Sequence, residues 1–440
     1  MRDKMSTRTA GSQASWRRAI ATAACGCILA LACVPTLAGP PTEEEVDALK
    51  ARLEQSLRLI DKLNQRVQAL EKAAVATAPA AAASAPGEWG TAVSQRVSDL
   101  EQEVSALDSR SSPQEGLPLH GFLDVGGLST TQRDAHRKGA TADGLDLYLT
   151  TENGRVRSLT ELNFEIDPEG EIDTDLERIQ IGYAVSDALT LWAGRFHSPY
   201  GYWNTAYHHG AQIQPSILRP RFLDFEDKGG ILPAHDVGLW ATGRLPLGDN
   251  LLHYDAWLAN APHVGSDGYL DPNVAGSTNG HALVGMNLGL PLGGATLGVH
   301  ALTGRIGGQV EGQSITDLRI LGGYAVYDED GWEAMAEYFR FSDRNVLGGG
   351  VYTSQAVYAH VGRAFGAWTP YARYELAALD QGDQYFASLV GGQSYRREML
   401  GLRYDIDPRS TLKFEFNHTS LTDRILDSYR ESRIQFAIRF

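Results

Sequence analysis

The chain has 440 residues and a formal net charge of −15, with 43% hydrophobic and 21% charged residues. An acidic balance of this size excludes the electrostatics of a nucleic-acid binder, and no segment offers the ~18 consecutive apolar residues of a helical membrane span. All three cysteines, Cys25, Cys27 and Cys33, fall before residue 39, so the rest of the chain offers neither disulfides nor thiolate metal sites.

At the N-terminus Arg17 and Arg18 precede an apolar run, 19–34, that closes on Pro35-Thr36-Leu37-Ala38. A basic start, a short apolar core and small residues at its end predict a secretory signal peptide over 1–38, cut after Ala38. Lipoprotein processing at Cys33 is the rival, but Ala30-Leu31-Ala32 fits that pattern poorly. Residues 1–38 carry five basic residues and one acidic, a net of +4, so −15 less +4 leaves −19 for the cut chain.

Residues 39–73 predict a coiled coil. Val46, Leu53, Ile60 and Val67 recur every seven residues, and Leu49, Leu63 and Leu70 fill the alternate seam positions. An Ala/Pro-rich linker over 74–90 breaks the helix. A second, short heptad helix over 91–112 follows on Val93, Val97, Leu100, Val104 and Leu107, and Ser111-Ser112-Pro113 ends it.

From residue 119 to 440 the pattern changes to runs of about ten residues separated by turn signals. They predict sixteen strands: 119–130, 144–152, 156–167, 175–185, 188–196, 236–247, 250–260, 279–291, 294–304, 316–327, 331–342, 353–365, 367–379, 395–406, 409–419 and 430–440. Short connections such as Asn153-Gly154 and Gly248-Asp249 alternate with long ones, the longest being 197–235. Period-2 alternation is clearest late in the chain: Leu412, Phe414 and Phe416 oppose Lys413, Glu415 and Asn417. It is poorest in 188–196 and 331–342. A soluble sandwich would also alternate. The strand count and the segregation of loops by length instead predict an all-β, 16-stranded antiparallel transmembrane barrel behind the N-terminal coiled coil. The polar set expected inside includes Asp124, Glu161, Glu165, Arg178, Asp255, Arg319, Glu333, Glu337, Arg373, Glu375, Arg403 and Asp405. Trp192, Trp240, Trp257, Trp332 and Trp368 are candidates for interfacial girdles.

These features resemble those of Gram-negative outer-membrane porins. The final Ile434-Gln435-Phe436-Ala437-Ile438-Arg439-Phe440 is similar to the terminal strand by which barrel-assembly machinery recognises its clients. The heptads resemble those of porins with a periplasmic coiled coil in the phosphate-selective-porin-like superfamily. Gly194-Arg195-Phe196-His197-Ser198-Pro199 resembles the segment such porins carry before the constriction loop. The resemblance implies a homotrimer in outer-membrane lipid, assembled through Phe440, with the third external loop, 197–235, folded into each lumen. The mixed inward charges depart from the basic ladder of phosphate-selective members, which puts phosphate selectivity in doubt.

Within that loop Arg219, Arg221, Asp224, Glu226, Asp227 and Lys228 bring both signs together and are the candidate pore constriction. His197, Tyr200, Trp203, Tyr207, His208, His209 and His235 are candidate solute contacts, the aromatics also serving to pin the loop. The histidines are weighed as a metal site, but adjacent histidines point apart in most conformations and no pair has the spacing of a strong zinc motif. No metal, cofactor or catalytic residue is expected, and no Ser-His-Asp, P-loop or zincin spacing occurs. The expected function is a passive outer-membrane channel for small hydrophilic solutes. A substrate-specific channel with a site in the loop and a structural barrel tethering the envelope are the alternatives.

Overall fold

The computed structural model describes residues 119–132, 138–166, 172–310, 312–422 and 428–440. The signal peptide over 1–38, the coiled coil over 39–73, the linker over 74–90 and the second heptad helix over 91–112 lie outside the described residues.

Every one of the sixteen expected strands forms. They are β1 (Leu119–Thr130), β2 (Gly139–Asn153), β3 (Val156–Ile166), β4 (Ile172–Ser186), β5 (Leu189–His197), β6 (His235–Leu247) and β7 (Asn250–Asn260). After the two-residue strands β8 (His263–Val264) and β9 (Leu270–Asp271) come β10 (Ala282–Leu292), β11 (Ala295–Gly307), β12 (Ser314–Glu329) and β13 (Trp332–Asn345). The rest are β14 (Val351–Arg363), β15 (Trp368–Ala378), β16 (Tyr395–Asp407), β17 (Ser410–Leu421) and β18 (Tyr429–Arg439).

Consecutive long strands pair antiparallel, β7 pairs with β10 across the β8–β9 excursion, and β18 pairs back onto β1. The sheet is therefore closed and satisfies its backbone without a free edge, the condition for crossing lipid with strands. Short turns line one rim and long connections the other. Gly154 and Gly248 both hold φ at 63° in two-residue turns, a conformation that side chains with a Cβ resist.

The wall alternates as an aqueous-cored barrel requires. On β17, Phe416 is 48% exposed on the outside while its neighbour Asn417 is fully buried on the inside. On β4, Ile181 is 62% exposed and Gln180 only 4%. Two expectations about facing are corrected. Arg319 is exposed and faces outward, because Leu318 and Ile320 beside it take the inner face of β12. Trp192, Trp240 and Trp257 face inward, where Trp192 stacks on Trp240 and Trp257 lies over Gly285. Trp332 and Trp368 open β13 and β15 at the short-turn rim and stay exposed, the position of an aromatic girdle.

Part of the inner face is apolar. Phe339 and Phe341 of β13, Tyr358 of β14, and Leu302, Leu318 and Ile320 of β11 and β12 are buried in one cluster with Tyr200, Trp203, Phe222 and Leu223 from the connection between β5 and β6. This is why the period-2 pattern is poor in 331–342: Met335, Phe339 and Phe341 put apolar side chains on the inner face of β13, toward the loop, while Ala334, Ala336 and Tyr338 put them on the outer face.

Candidate functional site

The β5–β6 connection, 198–234, folds back inside the barrel. Its root is fixed by backbone. The Ser198 N–H donates to the Ala234 carbonyl at 2.9 Å, and the Asn204 side-chain amide donates to the Ser198 carbonyl at 2.7 Å. Just before the root, Gly194 holds φ at 129°, and a Cβ there would meet the Ile179 carbonyl oxygen at 2.0 Å.

A loop buried inside a barrel must find partners for its backbone polar groups. Three inward glutamates supply acceptors. Glu337 on β13 accepts the N–H groups of Tyr202 (2.8 Å) and Trp203 (2.6 Å). Glu415 on β17 accepts those of Ile217 (2.9 Å) and Leu218 (3.3 Å). Glu375 on β15 accepts that of Arg221 at 2.8 Å. Donors come from Arg373, which bonds the Ser216 hydroxyl (2.6 Å) and the carbonyls of Leu218 (2.8 Å) and Arg219 (3.0 Å). Arg403 bonds the Gln214 carbonyl at 3.2 Å, and Lys413 bonds that of Ala211. Gln212 reaches the Pro408 carbonyl, at the short-turn rim, at 3.4 Å. From a root at the long-loop rim, the segment thus runs to the opposite rim. A helical turn in the 379–394 connection adds a cover, with the Tyr385 hydroxyl donating to the Ile231 carbonyl at 2.6 Å.

The six candidate constriction residues separate into two groups. Arg219 is buried, donating to the His208 carbonyl (3.0 Å) and Asn204 Oδ1 (2.8 Å), with its guanidinium 4.0 Å from the Phe225 ring centre. Glu226 is buried against His235, accepting its backbone N–H at 2.8 Å. Arg221 is held on the wall by the Tyr429 hydroxyl at 3.1 Å, and Asp224 caps the Phe225 N–H at 3.1 Å. Asp227, 69% exposed, and Lys228 reach open space, and Lys228 pairs with Glu165 of β3 at 2.6 Å. Two facing rings of free charge are therefore not what these residues build: Arg219 and Glu226 are consumed in holding the loop.

Among the candidate solute contacts, Tyr200 and Trp203 are enclosed in the apolar cluster, and Tyr207 packs against Trp203 and Tyr202. The four histidines come together. His197 and His235 are register partners at the ends of β5 and β6, and His208 and His209 swing back from the loop to meet them. The rings of His208 and His209 do not point apart; their centres lie 4.9 Å from each other and both face the same cluster.

Charges around this cluster decide its protonation. Burial, aided by the neighbouring imidazoles and Arg219, pushes His208 well below the ordinary histidine value. Burial also acts to lower His209, but Glu161, Asp146 and Glu177 outweigh it and leave it raised. Burial opposes ionisation of Glu226, yet His235 beside it holds that carboxyl below its usual range.

Glu177 escapes a sequence reading. Glu161 pairs with Arg178 while Leu162 pairs with Leu176, so Glu177 stands in a bulge and shares the inner face with Arg178. By strict alternation it would face lipid. The only signal in the sequence is an acidic residue at that supposed lipid-facing position.

A closed sixteen-strand barrel, apolar outside and charged inside, with its longest connection folded into the lumen, has the architecture of a membrane pore. Its fold is similar to that of the anion-selective porin from Comamonas acidovorans, with a TM-score of 0.53 and 13% identity over 74% of this chain and 99% of that one. It is similar also to OmpT, an outer membrane protein of Vibrio cholerae, with a TM-score of 0.51 and 11% identity over 73% of this chain and 96% of that one. At these identities the likeness is one of fold. No protein-family model and no curated protein matches the sequence.

Proposed function

We propose that the protein is an outer-membrane porin, a passive diffusion channel for small hydrophilic solutes whose aperture is set by the loop 197–235. The observation that carries this reading is the clamping of the loop to β13, β15 and β17 by Glu337, Glu375, Glu415 and Arg373, inside a closed barrel with an apolar exterior. A loop held to three wall strands in this way narrows the lumen at fixed width, as a diffusion filter requires. Asp227, Lys228 and Glu165 carry the charge on its open side. We place the barrel in the outer membrane as a homotrimer, with the heptad segments in the periplasm.

Conductance of the purified full-length protein in planar bilayers tests the reading. Stepwise, ohmic channels are expected, and a barrel that inserts but never conducts overturns it. A substrate-specific channel is the second reading. It is favoured by the charged Asp227 and Lys228 on the loop's open side, which a charged solute would meet. Saturable block of the current by one solute, and not by others of equal size, distinguishes it.

A further inference from the structure

We propose that His197, His208, His209 and His235 form a site for one divalent late first-row metal ion of the zinc class, tying the loop to the wall. One ring nitrogen from each of the four lies within 4.8 Å of all the others. His208 Nε2 and His235 Nε2 are 2.9 Å apart. The rings of His197 and His208 lie nearly parallel, 10° from each other with centres 3.4 Å apart, so one of them must turn to aim its lone pair at an ion shared with the other. Metal–nitrogen bonds of roughly 2.0–2.1 Å in a tetrahedron bring ligand atoms to comparable separations.

Hydrogen bonding without a metal leaves the cluster unsatisfied. A proton on each nitrogen of His235 explains that ring, with Glu177 Oε2 at 2.6 Å from Nε2 and Glu226 Oε2 at 3.1 Å from Nδ1. It does nothing for His208 Nδ1 or His209 Nε2, which are buried and have no hydrogen-bond partner. Each unmet buried group costs about 1–3 kcal/mol. A cation among the four rings takes up such lone pairs directly.

The surroundings suit that ion. Four carboxylates touch the cluster: Asp146 and Glu177 at His209, Glu161 at His197, and Glu177 and Glu226 at His235. Three guanidiniums answer them, Arg178 at 2.5 Å from Glu161, Arg195 at 3.5 Å from Glu177, and Arg219, which bonds the His208 carbonyl at 3.0 Å. The enclosure stays net negative and has room for a dication's charge. Glu226 on Nδ1 of His235 fixes the tautomer of a ligating imidazole, and an ion on Nε2 would take the place of the contact that Nε2 now makes with Glu177, leaving that carboxylate beside the ion. Imidazole donors select zinc and its first-row neighbours over magnesium or calcium. The proposal does not depend on conduction.

The test uses full-length protein, purified in detergent, stripped with a chelator and dialysed against zinc. One zinc per chain is expected, and cobalt in its place should give the intense visible bands of a four-coordinate ion. Replacing both loop ligands (His208→Ala, His209→Ala) should weaken zinc binding by more than about 100-fold, since loss of a mere outer partner already costs 10- to 100-fold. His418→Ala, on the outer face of β17, should leave zinc binding unchanged. Substoichiometric zinc in the wild type, or stoichiometric zinc that survives the double replacement, overturns the proposal. Should the double variant fail to fold, the wild-type cobalt spectrum decides: the pale spectrum of a six-coordinate aqueous ion overturns the site, and intense bands support it.

Discussion

Glu337 Oε1, on the inner face of β13, accepts the backbone N–H of Trp203 at 2.6 Å, tying the first helical turn of the loop to the wall opposite its root. The same carboxylate takes the Tyr202 N–H and the Tyr358 hydroxyl, the latter at 2.7 Å. Glu337→Ala leaves two amides and a phenol without their acceptor, at about 1–3 kcal/mol for each one that water cannot reach. The loop should loosen before the barrel does. Single-channel recordings should show larger and noisier openings, whereas Glu337→Gln, which keeps one acceptor oxygen, should fall between. An unchanged conductance in Glu337→Ala would mean that the loop does not set the aperture.

Arg373 does the complementary work by holding loop carbonyls, and it is paired with Glu375 at 2.9 Å with both side chains fully buried. Removing one member of a buried ion pair leaves the other uncompensated, typically at about 3–5 kcal/mol. Arg373→Met should therefore lower the temperature at which the detergent-folded barrel unfolds much more than Arg396→Met does. Arg396 also pairs with a glutamate, Glu398 at 2.9 Å, but on the exposed outer face. Equal shifts for the two would count against the clamp.

Gly194 marks where the wall strand gives way to the loop. Its φ of 129°, and the 2.0 Å that would separate an added Cβ from the Ile179 carbonyl oxygen, leave no room for a side chain. Gly194→Ala forces β4 and β5 apart at the pair Ile179 and Arg195, at a backbone cost of order 1–3 kcal/mol before the clash is counted. The folded fraction on unheated gels should drop. Gly248→Ala, where nothing lies within 4 Å of the added atom, should lose less.

The fold was legible because lipid and water impose a two-residue period on every strand that touches both. Phe414 and Phe416 against Lys413 and Glu415 show that period without any structure. It became illegible where the inner face met the apolar cluster of the loop instead of water or polar backbone, as at Phe339 and Phe341. The site was harder to read for a different reason. Its partners are far apart in sequence: Glu337 lies 134 residues from Trp203, and Glu415 lies 198 from Ile217. No local spacing encodes such contacts. The histidines converge only because β5 and β6 pair at His197 and His235 while the loop turns back over them.

The heptads before residue 113 can be separated from conduction by deletion. Deleting 42–110 should leave a barrel that inserts and conducts with the same unit step, since the clamp uses only wall and loop residues. The mass of the detergent-solubilised complex, measured with and without the segment, should report whether the heptads set the oligomeric state. Conductance kept on deletion would argue against the reading in which the heptads tether the envelope and the barrel is only their anchor.

Ion selectivity depends on which charges remain free inside. The Arg219 guanidinium is held by the His208 carbonyl, Asn204 and the Phe225 ring, and that of Arg221 by the Tyr429 hydroxyl and the Tyr395 ring. Asp227 is largely exposed, and Asp405, though paired with Arg403, is more exposed than that partner. With −15 on the whole chain, the field in the lumen should favour cations. Under a salt gradient the reversal potential should have the cation-selective sign and should shrink as ionic strength rises and screening shortens. Asp227→Asn should move it toward zero. Arg219→Met should leave the sign alone while making the current noisier, because that guanidinium holds the loop instead of facing the solutes. A reversal potential of anion-selective sign in the wild type would place free arginine at the narrowest point and contradict the burial of Arg219.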